Sequence, residues 1–194
     1  MRNYLKLLLL ALLLPILQGC FPLVAGGVGA GVVMATDRRT SGIFIEDQSI
    51  DIKAQKRISD KLRDEVHVNV TSFNLSALLT GEAQTEALRT EAESIVKTVP
   101  NVRQVFNEIA IAPVSNYTAR SNDSFITTKV KARMLEANKF NANHVKVVTE
   151  ASSVYLLGLV TRKEAEDATE LARTTSGVMK VIRLFEYLDY RVPA

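Results

Sequence analysis

The sequence predicts an α+β protein made of two tandem αββαβ units, each a three-stranded mixed sheet with two helices packed on it. Three observations predict it. First, the chain repeats itself: His67-Val68-Asn69-Val70-Thr71, then Leu75 to Leu79, then Gly81, returns as His144-Val145-Lys146-Val147-Val148, then Val154 to Leu157, then Gly158. The His and the Gly both recur after 77 residues, and such self-similarity marks a duplicated structural unit. Second, helical spacing stands ahead of each strand pair, with Ile50, Ala54 and Ile58 in copy one and Ile126, Val130 and Met134 in copy two. Third, helical spacing returns after each glycine (Ala92, Ile95, Val99; then Ala165, Ala168, Leu171, Ala172), and a final strand follows at Val102–Ile109 or Val178–Phe185.

Before the repeat comes an export signal. Arg2 and Lys6 charge the start, Leu7 to Leu17 is almost wholly apolar, and Gln18-Gly19-Cys20 follows. The apolar run is too short for a bilayer span, which needs roughly 20 apolar residues. Leu17-Gln18-Gly19-Cys20 resembles the bacterial lipobox. That resemblance implies cleavage before Cys20, acylation of its thiol, and an outer-membrane address, because Phe21 and not Asp follows. Phe21 to Met34 is small and apolar with four glycines. It reads as a flexible tether; a phosphate loop would need a Gly-Lys-Ser/Thr ending and a preceding strand. The expected division is therefore 1–19 signal peptide, 20–46 lipidated Cys and tether, 47–112 first unit, 113–122 linker and 123–194 second unit. Pro113 to Asn122 is rich in Pro, Ser and Asn, and Ser121-Asn122-Asp123 reads as the cap of the next helix.

In each unit the two strands around the glycine alternate, which predicts one buried face. Without residues 1–19, which hold two of the 24 basic residues and no acidic one, the net charge falls to +1. That balance gives no argument for nucleic acid. Cys20 is the only cysteine, so its acylation leaves no thiol for a disulfide and stability must come from the cores.

No enzyme is predicted. His67 and His144 hold equivalent repeat positions at strand starts, and a metal site would need both to converge with further ligands. They read as strand-edge histidines, with no metal, cofactor or catalytic residue expected. No Gly-x-Ser-x-Gly nucleophile turn occurs. Glu82, Glu86, Glu91 and Glu93 read as the solvated face of a helix.

The repeat resembles the BON domain. The residues that carry the likeness are Leu157-Gly158-Leu159-Val160 with Ala165, and the later Gly177-Val178 with Val181. Copy one has Pro100-Asn101 where copy two has Ser176-Gly177, and Asn tolerates the left-handed backbone that Gly supplies. Lipobox, glycine-rich tether, Thr36-Asp37-Arg38-Arg39 and two copies in order resemble the dual BON-domain outer-membrane lipoproteins, the division- and outer-membrane-stress-associated lipid-binding family.

The two copies differ on the outside of their first helix. Copy one carries Ser49, Lys56 and Ser59 where copy two carries Phe125, Ala132 and Leu135. Phe125, Thr128, Ala132 and Leu135 share a face pointing away from the core stripe, with Lys129, Lys131, Arg133 and Lys139 around it. An apolar stripe with basic flanks suits a membrane interface or, less well, a partner's groove; the competing reading is that it packs against copy one. The family resemblance implies that this helix meets anionic phospholipid such as phosphatidylglycerol. The expected lipid-binding set is Phe125, Thr128, Lys129, Lys131, Ala132, Leu135 and Lys139. The resemblance further implies a lipid-anchored protein on the periplasmic face of the outer membrane, enriched at the division site and supporting envelope integrity, with outer-membrane assembly machinery as a partner. The alternative is a periplasmic adaptor whose copy-two helix docks on a protein.

Overall fold

The structure, a computed structural model, describes residues 37–113 and 117–188. The signal segment, Cys20 and the glycine-rich stretch lie outside them. Thr36–Ala194 forms one compact unit that contains both repeats and their cores.

Helix α1 (Ser41–Leu62) starts at Thr40, whose hydroxyl accepts from the Ile43 amide at 3.3 Å. It therefore begins inside the stretch expected to be tether. Its buried stripe is Asp47, Ile50, Ala54, Ile58 and Leu62. Strands β1 (Val66–Phe73) and β2 (Ser76–Ala83) pair antiparallel around a two-residue turn, Asn74-Leu75. Helix α2 (Glu86–Lys97) then returns the chain to β3 (Gln104–Asn107) and β4 (Ala110–Ile111), both parallel to β2. The expected single closing strand is thus two short pieces, and the first sheet has four strands rather than three. The break falls where Asn107 turns its amide to the Arg89 carbonyl and the Glu93 carboxylate, at 3.2 and 2.9 Å.

Copy two repeats the plan with α3 (Tyr117–Ala137), β5 (Val145–Glu150), β6 (Ser153–Val160), α4 (Arg162–Arg173) and β7 (Lys180–Tyr187), the sheet running β5-β6-β7. The stretch expected to be a linker is helical from Tyr117. Asp123 is therefore no cap: it lies inside the helix, and its carboxylate accepts from the Ala151 and Ser152 amides at 2.9 and 2.8 Å. Asp47 does the same for the first hairpin, accepting from Asn74 and Leu75, both at 2.8 Å, and from the Ser72 hydroxyl at 2.7 Å. All four turn residues, Asn74, Leu75, Ala151 and Ser152, have positive φ. A primed two-residue turn demands this conformation, and it is costly without glycine. One buried aspartate per copy offsets that cost.

The predicted core stripes are buried. Ile50, Ala54 and Ile58 pack with Val68, Leu79 and Val96; Ile126, Val130 and Met134 pack with Val147, Leu156 and Ala168. Gly81 and Gly158 stand where a Cβ would come within 2.0 Å of the His67 carbonyl oxygen or 2.5 Å of the His144 one. Asn101 and Gly177 both adopt positive φ, as their equivalence requires.

One expectation fails. The strands were expected to bury a single face, yet every residue of β2 is buried and β6 is nearly so. The sheet faces that carry no helices stack on each other through Phe73, Leu78, Tyr155 and Leu157, with Phe106, Val148, Leu159, Ile182 and Leu184 packed around them. The order is helices, sheet, sheet, helices. Polar contacts line the rim of this seam: Asn69 to Glu150 at 3.3 Å, Asn74 to Glu186 at 3.0 Å, Lys146 to the Ser72 carbonyl at 3.0 Å, and the Arg103–Glu186 ion pair. Burial pushes the Asp51 carboxyl up and the Lys146 ammonium down, although each, 3.7 Å from the other, draws its neighbour part of the way back.

Candidate functional site

The site is built on α3, a helix apolar on two opposite sides. Ile126, Val130 and Met134 face inward and are fully buried. Phe125 and Leu135 face outward, 62 % and 67 % exposed, and Thr128 and Ala132 between them are exposed too. The seam between the copies lies elsewhere, on the sheet faces. The reading in which this stripe packs against copy one is thereby overturned: domain docking uses Tyr155 and Leu157, and leaves the stripe open.

Thr128 fits an apolar face because its hydroxyl already donates to the Ser124 carbonyl at 3.0 Å. Of the four cations around the stripe, three are engaged by protein groups. Arg133 is structural: its guanidinium donates to the Leu171 carbonyl and the Thr175 hydroxyl, both at 2.9 Å, at the C-terminal end of α4. Lys129 donates to the Ser176 carbonyl and sits 4.8 Å from the centre of the Phe125 ring, a cation–π distance. Lys139 pairs with Asp167 at 3.3 Å, and Asp167 is shared with Lys163 at 2.9 Å. Hydrogen bonds from Lys163 first, with Lys139 adding to them, hold the Asp167 carboxyl below its ordinary range. Lys131 is exposed and has no ion-pair partner among the described residues.

The histidines do not meet. His67 Nδ1 lies 3.0 Å from Glu82 and its Nε2 3.3 Å from Arg120, whereas His144 lies 3.5 Å from Glu164. Glu82 is therefore a buried β2 residue and not part of a solvated helix face. A polar cleft of about 500 Å³ opens between the copies beside His67, Asn69, Arg120, Asp123, Lys146 and Glu150. Its charges face one another: Asp123 grips its turn, Glu150 meets Asn69, and Lys146 meets Asp51. Among the described residues no group of three or more potential metal ligands assembles.

Sequence reasoning missed what Asp37-Arg38-Arg39 does. Arg38 forks onto Glu164 of copy two at 2.7 and 2.8 Å and donates to the Leu159 carbonyl at 3.0 Å. Arg39 pairs with Asp37 and with Asp47 of copy one, each at 2.6 Å, and its guanidinium lies 4.1 Å over the Phe73 ring. Burial alone would push the Glu164 carboxyl up; hydrogen bonds from Arg38 and Thr161 outweigh it and bring it down to about 2.

The BON domain family model matches this chain twice, over residues 47–113 and 122–189, once on each αββαβ unit. The chain belongs to the dual BON-domain outer-membrane lipoproteins. It is 37% identical to the outer membrane lipoprotein DolP of Haemophilus influenzae, over 89% of this chain and 91% of that protein. It is 31% identical to a 21 kDa hemolysin of Actinobacillus pleuropneumoniae, over 79% and 80% of the two chains. To the osmotically inducible protein Y of Escherichia coli it is 25% identical, over 78% of each.

Proposed function

We propose that this envelope lipoprotein is non-enzymatic, is anchored through acylated Cys20 at the periplasmic face of the outer membrane, and binds anionic phospholipid such as phosphatidylglycerol through the outer face of α3. The observation that carries this reading is the exposed Phe125–Leu135 stripe on a helix whose inner face already fills the core. Burying Phe125 and Leu135 in a bilayer contributes about 1.5–3 kcal/mol each. A lysine near anionic headgroups adds about 1 kcal/mol. Such a sum is weak for a free domain, but an acyl anchor raises the local concentration enough for weak binding to suffice. Binding of this kind supports envelope integrity and would concentrate the protein where anionic lipid is enriched, including the division site.

The test follows backbone and side-chain chemical shifts of residues 36–194 during addition of vesicles with and without phosphatidylglycerol. Shifts confined to 123–139, present only with the anionic lipid, are the expected result. Absence of shifts at saturating lipid would sink the reading and leave the stripe to a protein partner.

A further inference from the structure

The membrane face described above lies on one helix, yet the most exposed large apolar side chain outside it is carried by a loop tied to that helix. Met179 is 84 % exposed, the highest value among the exposed large hydrophobic residues described. It ends the loop between α4 and β7, and that loop is held against the Phe125 end of α3 from two directions. On one side, Lys129, which stacks on Phe125, donates to the Ser176 carbonyl, and a Cβ at Gly177 would meet the Ile126 side chain at 3.2 Å and Lys129 Nζ at 3.5 Å. On the other, the Met179 amide donates to the Ser152 carbonyl at 3.0 Å, while the Ser152 amide donates to Asp123, two residues before Phe125, at 2.8 Å. The backbone under Met179 is thus fixed to α3, and only its side chain is free.

Comparison of the copies isolates this residue. With the 76-residue offset that aligns the first helices, Phe125 corresponds to Ser49, Leu135 to Ser59 and Met179 to Arg103. All three apolar residues of copy two are polar in copy one, and Arg103 is tied into the seam by Glu186. Copy two leaves the equivalent place open and apolar. Its charge surroundings also match an anionic surface: no acidic residue occurs from Leu171 to Phe185, and Lys180 next to Met179 is exposed. An apolar side chain beside a lysine repeats the Phe125–Lys129 arrangement.

We infer that Met179 is a third membrane anchor, entering the same anionic bilayer as Phe125 and Leu135. The inference rests on the lipid-binding reading of α3 and adds to it. Phe125 and Leu135 lie along one helix and leave rotation about its axis undetermined. Met179 is carried not by the helix but by the loop tied to it at Lys129, so a third insertion there sets how the domain rolls on the surface. A thioether on an unbranched side chain suits this role, since it adapts to irregular apolar surroundings.

The chain contains no tryptophan, so a single introduced one reports alone. Residues 36–194 carrying Met179→Trp, Phe125→Trp or Ile52→Trp, the last on the exposed side of α1 in copy one, are mixed with phosphatidylglycerol vesicles whose acyl chains are brominated. Quenching and a blue shift at 179 and 125 but not at 52 are expected, with Met179→Asp weakening vesicle binding roughly tenfold at unchanged melting temperature. Quenching at 125 without quenching at 179 overturns the third anchor and leaves the α3 reading standing. Silence at both positions removes both readings. Equal quenching at 52 means unspecific adsorption and also overturns the proposal.

Discussion

Asp47 and Asp123 show what a single side chain can decide. Each is buried in a helix, and each accepts from two turn amides whose residues have positive φ and no glycine to ease it. Asp123→Ala strands both amides and should lower unfolding free energy by about 2–3 kcal/mol in urea titration, the range for losing hydrogen bonds to a charged group. Replacing Ala151-Ser152 by Asn-Gly, the pair a primed turn prefers, should return about 1 kcal/mol of that loss. The aspartates were visible in the sequence as a repeat, three residues ahead of Ile50 and Ile126. Their role was not, because an Asp after Ser-Asn at the edge of a polar stretch has the same composition as a helix cap. What separates the two roles is the distant turn it bonds.

For the elements, hydrophobic spacing was legible wherever one packing demand acted alone. The inner stripes of α1 to α4 and both close-approach glycines were readable from spacing. The start of α3 was not, since residues 117–122 are polar and give no periodic signal, although they are helical. Both-sided burial of the strands was partly written in the run Val154-Tyr155-Leu156-Leu157: a strand apolar at consecutive positions has no water-facing side. The outer stripe of α3 was readable only by subtracting one copy from the other. Phe125→Asp combined with Leu135→Asp should weaken binding to phosphatidylglycerol vesicles at least a hundredfold in a flotation assay, from about 1.5–3 kcal/mol per side chain. Thermal stability should stay within about 0.5 kcal/mol of the parent, as expected for exposed positions. Raising salt from roughly 0.05 to 0.5 M should also weaken binding, because the lysine contribution is screened.

For the whole molecule, the sheet-to-sheet seam makes two domains behave as one. Leu157 faces the other domain rather than its own helices. Leu157→Ala should cost about 2–5 kcal/mol, and calorimetry should resolve two transitions where the parent shows one. Acid acts on a different joint. The Glu164 carboxyl sits at about 2 when folded, against an ordinary 4.5. Its contribution is therefore complete above pH 4.5 and is lost as pH falls from 4.5 towards 2. Glu164→Gln should be less stable than the parent at neutral pH, and the gap should close across that window in pH-dependent urea unfolding. The Arg38 contact behind this shift could not be read from sequence, because its partner lies 126 residues away.

The Asp37-Arg38-Arg39 knot also fixes where a mechanical load enters. On the proposed anchoring through Cys20, any pull from the membrane enters the folded part through that segment. Arg38 hands the tension to the second domain and Arg39 hands it to the first. Each domain thus has its own ion pair to the segment through which the pull arrives. A chain lacking both arginines should pass the same force straight into the first turn of α1, and single-molecule pulling from the N-terminus should then show unfolding at lower force.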